Sequence, residues 1–322
     1  MASYSESRNL LLLSHADSII DDKELLLLFD LNKSKNPIIP YWLYSLFVLE
    51  ELSDDECVTQ FRFFKNDIYR LGSVLHIPDE VICLNGLKLM EQERFAYPCR
   101  YSDLVPRFAC DIPQICLISN YIMDYIYNQH HTLLEDLDQP WLLRECLKNY
   151  AAAIHSKGAT LSNCWGFVDS TVRPVCRPRQ NQRTLYNGHK RVHSIKFQSV
   201  VAPNGMIANL FGPVEGKRHD SGLLAISGLL PKLPQYGLTP REKMFNTSMS
   251  RVWVVVEWVF GDIINYFKFL DFKKNLKVGL SAIGKMYISC ALIQNAHTCL
   301  YENNVSKYFN VQPPTLEQYF RI

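Results

Sequence analysis

Residues 165–222 read "WGFVDSTVRPVCRPRQNQRTLYNGHKRVHSIKFQSVVAPNGMIANLFGPVEGKRHDSG". From Ser170 through Val214 there is no Asp or Glu, yet the stretch carries Arg173, Arg177, Arg179, Arg183, Lys190, Arg191 and Lys196. Asp169 stands just before these cations, and Glu215 and Asp220 come just after. "GFVDST" is a short apolar run leading to an acid, "HKRVHSIKFQSVVAP" is rich in β-branched residues, and "MIANLFGPV" is a further run. With Pro203-Asn204-Gly205 between them, the last two predict a β-hairpin. Three strands follow, the first carrying Asp169 near its C-terminal end, and "HDSGLLAISGLL" then begins a helix.

The flanking sequence is helical in texture. In "NTSMSRVWVVVEWVFGDIINYFKFL" the polar residues Ser250, Glu257, Gly261, Asn265 and Lys268 recur at helical intervals, which overrides the β-propensity of the valines. Glu257 thus projects from an otherwise apolar helix, and another helix spans roughly residues 280–300. Upstream, Val58, Phe61, Phe64, Ile68 and Leu71 mark one helical face with Ser53 as N-cap. Residues 101–130 give a short helix, a break at "CDIP" and a longer helix started by Pro113, with Ile115, Leu117, Ile118, Ile122 and Ile126 as its apolar set. That outline is a helix-turn-helix, which more often marks ordinary bundle packing than DNA reading, and the few cations on its second helix weigh against DNA. The expected organisation is a helical N-terminal region (1–90), a helix-turn-helix-like segment (91–130), a helical connector (131–160), an α/β (α+β) domain (161–300) and a tail (301–322).

The 322 residues carry a net charge of +2, which excludes a globally basic nucleic-acid coat and leaves any such role to a local patch. Ten cysteines with no CxxC spacing argue against a zinc ribbon and for reduced thiols. No cleavable signal pattern and no apolar run of membrane-spanning length are present, so no membrane partner is expected.

The acids and cations suggest one chemistry. Carboxylates converging from a strand, a loop and a helix offer the hard oxygen ligands that Mg²⁺ or Mn²⁺ prefer, and two such ions can drive in-line phosphoryl displacement. The basic stretch would neutralise a phosphodiester backbone. The alternatives are a solvated Glu257, an Asp169 that only caps a loop, and a basic hairpin edge that blocks aggregation.

"GFVDSTVRPVCRPRQNQRTLYNGHKRVHSIKFQSVVAPNG", "GPVEGKRHDSG", "FNTSMSRVWVVVEWVFGDI" and "LIQNAHTCLY", in this order, resemble the Harbinger/PIF-like DDE transposases and their domesticated nuclease relatives across residues 160–300. The resemblance implies an RNase H-like mixed sheet with flanking helices, a divalent cation, DNA as substrate and a nuclear, or also cytoplasmic, location. It maps Asp169, Asp220 and Glu257 onto catalytic and metal-binding positions. Between "HDSG" and "FNTSMS" the chain lacks the family's further strand with its "GD" and "YP"-like motif, and with it the central aspartate. Three readings follow: an impaired metal-dependent DDE nuclease, an inactive derivative that binds DNA or protein, and a helical interaction protein. A DNA-binding partner protein and a homo-oligomer are compatible with each.

Overall fold

The computed structural model describes residues 4–31, 39–45, 47–78, 80–82, 88–90, 101–229, 257–271, 276–279 and 282–321. The chain forms two compact units, Met1–Leu43 and Tyr44–Ile322. In the first, helices α1 (Tyr4–Ala16) and α2 (Asp22–Leu31) pack on each other.

The second unit opens with α3 (Asp54–Phe61) and α4 (Lys65–Val74). Ser53 caps α3 as expected, accepting from the Glu56 amide while the Glu56 carboxylate accepts from the Ser53 amide. This reciprocal capping satisfies two amides that a helix start leaves open. Two short antiparallel strands follow, β1 (Glu80–Ile82) and β2 (Lys88–Met90), in a stretch whose sequence texture predicts helix.

Helices α5 (Tyr101–Phe108) and α6 (Ile112–His130) form the expected pair across a tight turn. Asp111 caps α6, and Pro113 occupies its first turn, where a missing N–H costs nothing. Ile115, Ile118, Ile122 and Ile126 are buried, whereas Leu117 faces out at 48% exposure. Helix α7 (Arg144–Ser156) leads to the sheet.

The sheet contains β3 (Phe167–Pro174), β4 (Tyr186–Asn187), preceded by the one-turn helix α8 (Gln182–Leu185), β5 (Val192–Val201) and β6 (Ile207–Glu215). Strand β5 lies between β3 and β6, and all pairings are antiparallel. The predicted hairpin is present, and its Gly205 has φ +81°, the left-handed conformation that glycine adopts without strain. The parallel pairing of a mixed sheet is not seen among the described residues, and the segment where a further strand would fall, 230–256, lies outside them. Helix α9 (Asp220–Ile226) follows β6, and α10 covers residues 257–266.

Helix α11 (Ile283–Tyr301) is buried along most of its length, as an all-round apolar helix must be. It packs against α6, β6 and the last helix. Phe197 of β5 stacks on its Tyr287 with ring centroids 4.3 Å apart. Residues 304–320 of the expected tail are packed helix and turn. Helices α12 (Asn304–Phe309) and α13 (Leu316–Phe320) place Phe309, Leu316, Tyr319 and Phe320 in the core. No helix among the described residues is long and apolar enough to cross a membrane.

Candidate functional site

Asp169 is the third residue of β3, nearer its start than its end, which corrects the expected C-terminal placement. In the register it faces Ser199, and its neighbour Ser170 faces Gln198. Successive strand residues point to opposite faces of a sheet. The packing agrees with that rule. Gln198, on the Ser170 face, donates to Ser227 just past α9 at 3.0 Å, whereas Phe197, on the Asp169 face, stacks on α11. Helices α9 and α11 therefore cover opposite faces of the strand that carries the first acid.

Asp220 belongs to the α9 side. Its carboxylate accepts hydrogen bonds from the Ser170 hydroxyl and the Lys196 ammonium. Lys196 also donates to the Arg218 carbonyl at 3.0 Å. The lysine is 5% exposed. A buried ammonium is costly unless it is paired and hydrogen-bonded, and here it is both. Burial would raise the Asp220 pKa, but the bonds from Lys196 and Ser170 hold it below the usual carboxylate range.

Asp169 responds to all of these groups. Burial pushes its pKa up to about 6, and the charges of Asp220 and Glu257 push in the same direction. The Ser170 amide, 2.7 Å from Oδ1, and the Lys196 charge pull the other way. Glu257 sits exposed at the start of α10. Asp169 thus senses the charges of both other acids singled out in the sequence. The three do not close into a ligand cage: among the described residues no group of three or more His, Cys, Asp and Glu could hold a metal ion. The oxygens suit Mg²⁺ or Mn²⁺, but Asp169 and the Ser170-linked Asp220 belong to opposite faces, and a protein cation already engages Asp220. The arrangement does not fit a metal pair.

The seven cations divide into two sets. Arg177, Arg179, Arg183, Lys190 and Arg191 are exposed, and all lie on the connection between β3 and β5. The Arg177 guanidinium is steadied by Gln182 Oε1 at 2.9 and 3.1 Å. Arg173 turns inward, bonded to Thr171 and lying 5.2 Å from the Tyr287 ring centre. Lys196, grouped in the sequence with the phosphate-facing cations, belongs instead to the acids. Glu215 is bound by Arg218 at 3.0 Å. Helix α6, second of the helix-turn-helix pair, contains no Lys or Arg.

Ser170 and the role of Lys196 are what sequence reasoning missed. A signal was present: a lysine inside the apolar run "HSIKFQSVV" sits in a buried strand and requires a carboxylate within reach.

A family model described as DDE superfamily endonuclease matches residues 168–237, a range that includes all of β3 but its first residue, β4, β5, β6 and α9. Comparison with curated proteins and with solved structures gives no match.

Proposed function

We propose that the unit containing β3–β6 is a transposase-derived DDE domain of the Harbinger/PIF type that grips the DNA backbone, in the nucleus, without cutting it. The observation that carries this reading is the buried Lys196 ammonium on Asp220, beside an Asp169 that belongs to the opposite face. Two-metal phosphoryl transfer needs carboxylates that share two ions, with one carboxylate bridging. Here one candidate ligand has a fixed protein counter-ion. Between Gly222 and Phe245 the chain offers no aspartate, and Glu242 is its only acid. That agrees with loss of the central aspartate and its strand. At most, Asp169 and Glu257 would hold a single Mg²⁺ or Mn²⁺ weakly.

The exposed cations keep the other half of the ancestral chemistry. Arg177, Arg179, Arg183, Lys190 and Arg191 project from one connection that carries no acid, the pattern suited to phosphate neutralisation. Support for the superfamily comes from the family match over the same strands.

The test measures duplex DNA affinity against salt by fluorescence anisotropy. Affinity should fall steeply with salt, and an Arg177→Ala, Arg179→Ala double variant should flatten the log–log slope by roughly two units. Supercoiled plasmid incubated with Mg²⁺ or Mn²⁺ should stay intact. An unchanged slope would remove the phosphate contact. Robust nicking that disappears in Glu257→Gln would establish an active nuclease instead.

A further inference from the structure

A cavity of about 270 Å³ opens where the end of α3, helix α5, the end of α10 and helix α11 meet, on residues the DDE reading does not use. Its size falls just below the usual range of small-ligand pockets, roughly 300–1,000 Å³. Its floor is polar and unsatisfied. Gln294 is 1% exposed, and neither its amide oxygen nor its amide nitrogen has a partner. Gln60 Oε1 and His297 Nδ1 are also buried without partners. Native proteins leave few such groups, and each costs about 1–3 kcal/mol of desolvation. Four in one cavity are better explained by a ligand than by poor packing.

The atoms specify what would satisfy them. Burial lowers the His297 pKa to about 4 against an opposing interaction with the Arg62 backbone, so the ring is neutral at neutral pH. In the tautomer with its proton on Nε2, the unpartnered Nδ1 is a bare acceptor. With the oxygens of Gln60 and Gln294, the floor holds three acceptors and one donor. An anion placed there would be repelled, whereas a heterocycle with several N–H groups would be held. A Gln amide pairs bidentately with the donor–acceptor edge of adenine in this manner. Aromatic walls are in place, with Tyr266 and Phe63 ring centres 4.6 and 5.4 Å from that of His297. The rim changes sign: Arg62, Arg107 and Lys268 outnumber Asp103.

We propose that this cavity binds a nucleoside 5′-monophosphate unit, with an amino-bearing base on Gln294, Gln60 and His297 and the phosphate on Arg62 and Arg107. The unit is either a free nucleotide or one nucleotide everted from a strand, since both present the same edge and the same charge.

Calorimetric titration of the full chain with adenosine, cytidine, guanosine and uridine 5′-monophosphates tests this. The three amino-bearing nucleotides should bind saturably, with uridine monophosphate several-fold weaker. Gln294→Leu should reduce affinity about tenfold or more, while the ligand-free variant melts no lower than wild type because it loses only unpartnered atoms. Arg107→Ala should weaken the monophosphate and leave unphosphorylated adenosine unchanged. A single-stranded oligodeoxyadenylate whose binding depends on Gln294 would assign the strand as source, and binding of monophosphates alone would assign the free nucleotide. The proposal is overturned if neither ligand binds at millimolar concentration, if Gln294→Leu binds like wild type, or if that variant melts lower. A lower melting point would mean that water or protein already satisfies the amide.

Discussion

Asp169 has a pKa of about 6 in the folded chain, against roughly 3.9 for an unfolded aspartate. Between these values the native state holds a proton that the unfolded state has released. Stability therefore falls as pH rises from about 4 through 6, and levels off above. Asp169→Asn keeps an oxygen for the Ser170 amide and cannot ionise. The variant should match wild type near pH 4, exceed it at pH 8 and lose part of the pH slope, read as urea midpoints at pH 4.5, 6 and 8. An identical slope in both proteins would mean that Asp169 is not the strained group. Lys196→Gln tests the opposite member of the cluster. Asp220 is 71% exposed at its side chain, so water can solvate it once the ammonium is gone. The variant should fold, bind Mn²⁺ more tightly than wild type by calorimetry, and show an Asp169 pKa raised further. Unchanged Mn²⁺ affinity would show that the lysine does not block a cation.

The hairpin and the Ser53 cap were legible because each rests on local chemistry, whereas the position of Asp169 near the start of its strand was not. "PNG" between β-branched runs leaves little choice, and neither does Ser53 with Glu56 three residues on. The short strands β1 and β2 were missed, since a three-residue strand has no period to read. Leu117 was misassigned because a helix of 19 residues has room for an apolar side chain off its packed face. The least legible contacts join elements far apart in sequence. The Asn295 side chain accepts from the Ile207 amide and donates to the Ile207 carbonyl, both at 2.9 Å, so a helical carboxamide acts as a further strand along β6. It also donates to the Tyr319 hydroxyl at 2.8 Å. Nothing local in "LIQNAHTCLY" announces this. Asn295→Leu would leave two buried backbone groups unpaired, at a cost of roughly 3–5 kcal/mol. Thermal unfolding should show a drop far larger than for Asn149→Leu, at an exposed helical site on α7. Equal drops would deny Asn295 its strand-like role.

At the scale of the whole unit, the sheet alone is too small to stand, and closure comes from the end of the chain. Leu316, Tyr319 and Phe320 are 1%, 0% and 7% exposed, and they seat α13 against α11 and α4. Arg70 of α4 clasps Glu317 with two bonds of 2.7 and 2.9 Å, and Asn303 both caps α12 and donates to the Gly205 carbonyl in the hairpin turn at 2.9 Å. A polar composition hid this from the sequence, because Leu316, Tyr319 and Phe320 stand among polar residues just after two prolines. Burying side chains of this size stabilises a fold by about 1.5–3 kcal/mol each, so the three together approach the 5–15 kcal/mol that separates most domains from unfolding. A chain ending at Asn310 keeps every candidate DNA contact and all three acids, yet should lose its cooperative thermal transition by circular dichroism. A milder variant, Tyr319→Phe, retains the packing and removes only the hydroxyl that accepts from Asn295, and should cost about 1 kcal/mol. If the truncated chain melts like the full one, the C-terminal helices are decoration and the core closes without them.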